Sequence, residues 1–395
     1  MTTDHAAAPS IAVLGSFPPL RAISGYCVEF ALALADYAPI RFLSFKTIYP
    51  AFLYPGGGLK DDQSFPKATH PALEVSRKIT WYNPFGWLKE GFSIQAELLH
   101  AQWWSLPLAP IYIVICLCFR VRGKPVVMTV HNVTAHEQSK LFPLLAGLLF
   151  RTANHFIVHT QQNKASLSTH YAVPLEKISV IPHGTLDLFV AGEENRNLSR
   201  KMLGFSETHR VVLLFGAIRL YKGVDTTLLA FSKIADKVPE ARLLIAGKAW
   251  IDWAPYEQLI ETLEIKERVH CHLDYVPSDE VARYFEAADL VVLPYHHFDS
   301  QSGVGSAALA FDKPLIVSDV GGLPDLVKDK SFVVPPQQPD ALADAMLRSL
   351  GKPGQLEHMQ AESRELAEEM SWRSIAQTTL ALYRRLLAAP SSGRQ

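Results

Sequence analysis

Cysteine is scarce in this chain, with four in 395 residues, and Cys27, Cys116, Cys118 and Cys271 show no metal-ligand spacing. That argues against a zinc site or a disulfide scaffold, and buried free thiols in a reducing, cytoplasmic setting are expected instead. Excess charge is missing too. The 38 Lys/Arg and 39 Asp/Glu leave a net charge of −1, which argues against a dedicated nucleic-acid binder. No hydrophobic run is long enough to cross a bilayer: Leu108–Phe119 is broken by Pro110 and falls short of the ~20 residues required. The first ten residues lack the apolar core of a signal peptide, so a soluble or peripheral protein is expected. Also missing are a P-loop, a Ser-His-Asp or Cys-His arrangement, an Asp-x-Asp metal motif and any internal repeat. The N-terminal loop holds only Gly25 of what would be a GxGxxG fingerprint, which disfavours a nicotinamide enzyme.

What is present is alternation. A chain of this length exceeds one core and predicts two domains. Apolar, β-branched runs at Ile11–Gly15, Arg41–Phe45, Pro125–Val130, His155–Val158 and Ile178–Ile181 alternate with helical periodicity, which means a doubly wound parallel sheet. Residues 46–95, rich in Pro, Gly and aromatics, read as loops and short helices over a surface. Polar residues 184–201 read as a linker. Alternation then resumes through Val211–Phe215, Arg242–Ala246 and Val269–His272. The predicted domains are residues 1–190 and 191–370, followed by an amphipathic helix over 371–390. Residues 1–190 carry 15 Lys/Arg against 11 Asp/Glu, and the remainder 23 against 28. With the aromatics between Tyr49 and Trp87 and the leucine-rich helix after Lys140, that bias makes the first half the one to face anionic lipid. For the leucine-rich helix itself, core packing is the favoured reading and a membrane surface the alternative.

The chemistry gathers around Leu290–Asp325. Leu290–Pro294 reads as a buried strand, His296–Gly303 as a polar loop, and Val304–Phe311 as a small-residue helix. The amides of Ser302, Gly303 and Val304 would open that helix, where backbone N–H groups and the helix dipole favour an anion. An ordinary βαβ crossover reads the same way. Upstream, GAIRLYKG (Gly216–Gly223) follows a strand directly, so Arg219 and Lys222 leave the edge of a parallel sheet where doubly wound domains bind ligands. Two cations facing helix amides would hold a pyrophosphate. Ile245–Lys248 adds a second Gly-containing strand end.

The chain resembles the family 4 retaining glycosyltransferases of the GT-B fold. The likeness is carried by GAIRLYKG, the strand–AG loop Ile245–Lys248, ADLVVLPY, ALAFDKPLIVSDVGGLPDLV, VIPHG (Val180–Gly184) and the terminal SWRSIAQTTLALYRRL. It implies an α/β protein with two doubly wound, Rossmann-like domains facing a central cleft, an N-terminal acceptor domain and a C-terminal nucleotide-sugar domain. The last helix would cross back to the first domain. By this resemblance Arg219 and Lys222 bind the donor diphosphate, Gly247 lies in the donor loop, and Tyr275 and Val276 contact the base. The amides of Ser302, Gly303 and Val304 bind the phosphates, and Gly25 adds a contact from the other domain. His131, with His136 as a competitor, would stand near the transferred sugar; a structural hydrogen bond is the plain alternative.

One departure is visible. The family's two glutamates, eight positions apart, fall on Asp299 and Ala307 when counted back from Pro314. The first is shortened and the second has lost its carboxylate. The resemblance implies sugar transfer from a nucleotide donor to an acceptor hydroxyl with retention, in polysaccharide or glycolipid assembly, without cofactor or metal. The partners would be a nucleotide sugar, a sugar or lipid-linked sugar acceptor, and peripheral contact at the inner face of the cell membrane. A non-catalytic scaffold subunit and a UDP-sugar 2-epimerase are the competing readings.

Overall fold

The computed structural model describes residues 8–48, 61–133, 142–190 and 195–388. They divide into two compact units. The first draws on residues 1–63, 67–183 and 372–395, the second on 64–66 and 184–371.

The first unit runs β1 (Ile11–Leu14), α1 (Ser24–Ala35), β2 (Ile40–Thr47), β3 (Leu73–Thr80), α2 (Pro84–Ser93), β4 (Leu98–Trp103), α3 (Ala109–Val121), β5 (Val126–Val130), α4 (Phe142–Phe150), β6 (His155–Val158), α5 (Gln161–Tyr171) and β7 (Ile178–Val180). Its strands form one parallel sheet in the order β3-β2-β1-β4-β5-β6-β7. Strands β1, β4, β5 and β6 are buried along their whole length, as strands covered on both faces must be. Edge strand β3 breaks this pattern. Its sequence LEVSRKIT is half-exposed and polar, so the loops and short helices expected over residues 46–95 include the helix α2 but also, unexpectedly, a strand paired to β2. Tyr49, Phe52, Tyr54, His136 and Lys140 lie outside the described residues. Trp87, expected on the surface, turns inward. Helix α4 buries Ala146, Leu149 and Phe150 and exposes Leu144 and Leu148, so its main face is a core face.

The second unit runs α6 (Arg196–Leu203), β8 (Arg210–Phe215), α7 (Val224–Ala235), β9 (Ala241–Ala246), α8 (Ala254–Thr262), β10 (Val269–His272), α9 (Val281–Ala287), β11 (Leu290–Leu293), α10 (Gly303–Ala310), β12 (Leu315–Ser318), β13 (Val333–Val334), α11 (Pro339–Gly351) and α12 (Gln355–Glu369). Its parallel sheet has the order β10-β9-β8-β11-β12-β13. The last helix, α13 (Trp372–Ala388), packs in the first unit. Its Trp372 ring lies 5.3 Å from that of Tyr26, and its Tyr383 hydroxyl hydrogen-bonds His100 Nδ1.

The expected linker over 184–201 is corrected by α6, which is folded in place by a buried ion pair. Arg200 is 1% exposed, and its guanidinium reaches Asp289 Oδ2 at 2.5 Å and the carbonyls of Ser206, Glu207, His209 and Ala287. Asp289 also accepts from Val211 N at 2.7 Å and pairs with Arg196 at 2.6 Å. Every polar atom of the pair is therefore answered, which is what makes a buried ion tolerable. Replacing Asp289 by Ala would strand the Arg200 charge. The expected loss is ~3–5 kcal/mol in the urea unfolding of this unit, and a variant as stable as the parent would refute that account.

Candidate functional site

In both sheets the strand order reverses once, between β1 and β4 in the first and between β8 and β11 in the second. Ligands of doubly wound sheets bind at the carboxyl ends of the strands at such a point. In the second unit the segments leaving that point are Gly216–Lys222, after β8, and Pro294–Ser302, which leads into α10.

Glycines let these segments meet. Gly247, after β9, has φ 138°, and a Cβ there would stand 2.1 Å from Gly216 O. Its role is close backbone approach, with Gly216 N donating to Ala246 O at 2.9 Å and Ile218 N to Lys248 O at 2.9 Å. A Cβ on Gly216 would lie 3.0 Å from Val304 Cγ2 and 3.8 Å from Lys222 Nζ, so the β8 loop and the start of α10 are neighbours. Gly303 at the helix end faces open space. Beneath the Phe298–Ser300 loop sits the Gly321-Gly322 turn. Gly322 N donates to Ser300 O at 3.0 Å, and a Cβ on Gly321 would meet Phe298 O at 2.5 Å.

Lys222 is 6% exposed. Its ammonium donates to the Tyr295 hydroxyl and lies 4.2 Å from the Tyr295 ring centroid. Tyr295 in turn hydrogen-bonds Ser302 Oγ at 3.1 Å, and Ser302 caps α10 by accepting from Gly305 N at 3.4 Å. Among the described residues neither Lys222 nor Arg219 pairs with a carboxylate. Burial accordingly pulls the Lys222 pKa below that of an ordinary lysine, Tyr221 opposes the shift, and Arg219 adds to it. The Arg219 guanidinium stacks over Trp250 at 4.2 Å. Lys222, Ser302, Gly303 and Val304 are thus brought together as expected. Tyr295 and Trp250 were missed, because a tyrosine at a strand end and a tryptophan in a loop carry no spacing signal.

Val276 packs into the core, so a base could meet only its main chain, while Tyr275 is half-exposed beside it. Asp299 is exposed on the loop braced by Gly321. Ala307 is 4% exposed within the apolar core. Gly25 sits inside the first turn of α1 rather than in the preceding loop.

His131, at the end of β5 in the first unit, belongs to a buried cluster around Tyr26. Its ring lies 4.7 Å from that of Tyr26 and 5.0 Å from His159, and His183 lies 5.2 Å from His159. Burial first, and neighbouring imidazoles second, lower the pKa of His131 well below the usual histidine value and that of His159 to about 3. Burial likewise takes His100 to about 3. Neutral rings fix the protons. His159 Nδ1 faces Ile181 O at 2.9 Å and must donate, so its Nε2 accepts from His131 Nδ1–H at 3.2 Å. His131 Nε2 is then an acceptor, and since the amide atom placed 3.0 Å from it is Gln102 Oε1, which can only accept, the contact is satisfied by exchanging the oxygen and nitrogen of that amide, which also gives the otherwise unpartnered Gln102 Nε2 a partner. Both ring nitrogens of His131 are engaged within the protein. Among the described residues no group of His, Cys, Asp or Glu is arranged to hold a metal.

Comparison with known proteins gives a consistent result. A family model described as Glycosyltransferase Family 4 matches residues 52–185, and one described as Glycosyl transferases group 1 matches 195–366. A D-inositol 3-phosphate glycosyltransferase of Segniliparus rotundus is 30% identical over 280 residues, covering 67% of this chain and 62% of that protein's length. Among solved structures, sucrose-phosphate synthase from Thermosynechococcus elongatus is similar at a TM-score of 0.69 and 21% identity, covering 97% of this chain and all of that one. Anabaena HepE in complex with UDP and glucose is similar at 0.71 and 17%, covering 95% of this chain and all of that one.

The histidine cluster sets a pH dependence. Folded-state pKa values below the unfolded ~6.5 mean that the unfolded chain binds more protons, so stability is complete above that pH and falls as pH drops toward about 3. Each such imidazole contributes a slope of about 1.4 kcal/mol per pH unit in that window. The thermal midpoint of the first unit should therefore fall between about pH 7.5 and about pH 5. A midpoint that holds steady would contradict it.

Proposed function

The chain belongs to family 4 of the GT-B glycosyltransferases, and from that premise we propose that it transfers a sugar from a nucleoside-diphosphate donor to an acceptor hydroxyl with retention of configuration. The observation that carries the proposal is the Lys222 ammonium, buried beside the start of α10 without a carboxylate partner among the described residues. An isolated buried cation is costly, and an anionic ligand is what offsets the cost. A diphosphate fits, since Arg219 and the Gly303 and Val304 amides supply further donors on the same side of the sheet. Anabaena HepE, similar in fold, is a complex with UDP and glucose, which supports a nucleotide ligand for this chain.

In the proposed reaction the bond from the sugar's anomeric carbon to the diphosphate oxygen breaks, and its electron pair leaves with the diphosphate. The acceptor oxygen bonds to the anomeric carbon from the same face. Its proton passes to the departing phosphate oxygen. Arg219, Lys222 and the helix amides stabilise the negative charge that grows on the leaving group. These cations supply what a divalent ion supplies elsewhere, so metal-independent turnover is part of the proposal. Asp299 is proposed to meet the sugar from the second unit's loop, and His131 is proposed as a sugar contact within the first unit. His131 would serve there as a neutral hydrogen-bonding group, since burial disfavours its charged form, and a sugar hydroxyl would reach its Nε2 by displacing Gln102. The acceptor is proposed to be a sugar or lipid-linked sugar, in polysaccharide or glycolipid assembly.

Lys222→Met tests the central residue. Methionine keeps the unbranched stem as far as Cε and removes the ammonium, so the free protein should gain ~0.5–2 kcal/mol while losing its site. UDP, GDP and ADP are then compared by thermal shift. The matching nucleotide at 100 times its Kd should stabilise the parent by ~2.7 kcal/mol and the variant hardly at all. Turnover of the corresponding donor should drop ~10²–10³-fold in the variant and be unchanged in the parent by EDTA. Nucleotide stabilisation equal in both proteins would sink the assignment. A purified protein that neither transfers nor hydrolyses any donor would favour the scaffold reading.

A further inference from the structure

Helix α2 is turned the opposite way from an ordinary surface helix. Its inner side, Trp87, Glu90 and Gly91, is buried against α3, where a Cβ on Gly91 would stand 2.9 Å from Cys118 Cβ. With that side committed, Phe85, Leu88, Lys89 and Phe92 follow one another at i, i+3, i+4 and i+7 on the outer side. Phe85 is 83% exposed, and Leu88 and Phe92 are exposed as well. Trp81 and Tyr82, just before the helix, are also exposed, their rings 6.1 Å apart in an edge-on pair. Neighbouring α3 presents Leu117 and Val121, four residues apart, with Val121 78% exposed. Single exposed apolar residues are normal, but a stripe of this extent on two packed helices is not.

Charge within the two segments that carry the stripe is mostly basic, and the flanking acids are engaged elsewhere, Glu74 with Arg41 and Glu97 with Ser10 N. Residues 75–96 contain a single acid, Glu90, which is buried and accepts from Ser76 Oγ at 3.2 Å; residues 109–124 contain none. The same two segments carry Arg77, Lys78, Lys89, Arg120, Arg122 and Lys124. Arg122 is occupied in closing the end of α2, donating to Phe92 O at 3.0 Å and Ile94 O at 2.9 Å, and Arg77 donates to Pro18 O. Among the described residues Lys78, Lys89, Arg120 and Lys124 have no acidic partner.

We propose that this face, Trp81–Phe92 of α2 with Leu117–Val121 of α3, docks on an anionic lipid bilayer. The proposal is independent of the donor assignment. An amphipathic helix lies in the interface plane with its apolar side in the headgroup–acyl boundary. Trp and Tyr favour that depth, and lysines beside them meet anionic headgroups. A second copy of the chain fits poorly, because a two-fold contact through this face would bring its cations together without an acid to answer them.

The purified full chain is tested by flotation with vesicles of phosphatidylcholine alone and of phosphatidylcholine mixed with phosphatidylglycerol. The expected result is binding to the mixed vesicles at low salt, release as salt is raised, and at least a tenfold weaker partition for each of two variants. One is Phe85→Ser with Phe92→Ser; the other is Lys78→Glu with Lys89→Glu. All four positions are exposed, so thermal midpoint and nucleotide binding should match the parent in both. Failure of the parent to float with mixed vesicles at low salt would overturn the proposal. So would flotation unchanged in the variants, or a parent that runs as an oligomer which the Phe85→Ser, Phe92→Ser variant dissolves.

Discussion

The candidate site depends on a lysine ammonium held out of water with a phenol as its nearest partner. Lys222 ends the loop that leaves β8, and its contact with Tyr295 ties that loop to the segment leading into α10. The geometry that places it there is bought with glycine, since Gly216, Gly223 and Gly247 each stand where a Cβ would strike backbone or a neighbouring side chain. A folded chain does not ordinarily leave a cation in such surroundings, because the charged form loses hydration and gains only a phenol hydroxyl and ring in return. On the proposed reading an anion supplies the missing counter-charge, at the point where the strand order reverses.

The Arg200–Asp289 pair shows the contrast within the same unit. It too is buried, but each donor and acceptor is matched, so it serves as a structural clamp on α6 and asks for no ligand. Burial alone therefore does not mark a site. What separates Lys222 from Arg200 is the missing counter-charge. The buried histidines His131 and His159 of the first unit represent a third outcome of the same physics. With no acid paired to them among the described residues, burial keeps them neutral, and hydrogen bonds link Ile181 O through His159 and His131 to Gln102.

Most strands were legible because a buried parallel strand is a short, uniformly apolar run, as at Ile11–Leu14, Val126–Val130 and Leu290–Leu293. The elements that escaped notice have mixed composition for identifiable reasons. Strand β3 lies at a sheet edge with half its residues in water, and α6 is polar because its inward group is an arginine rather than a leucine. Helix α2 was expected only as an unplaced short helix, because its outward stripe is itself apolar, which erases the two-sided pattern on which periodicity relies.

By itself the sequence determined the alternation of strands and helices, the glycine and cation spacing of GAIRLYKG, and the small-residue opening of α10. Each of these is local: a run of side chains or a backbone conformation is stated within a few residues of itself. Only the tertiary structure decided that Tyr295 meets Lys222 across 73 residues of chain and that His131 spends both ring nitrogens inside the protein. The same holds for Ala307, which faces the core rather than open space. Those outcomes turn on which groups are denied water together, and desolvation belongs to the packed arrangement of distant segments rather than to any one of them.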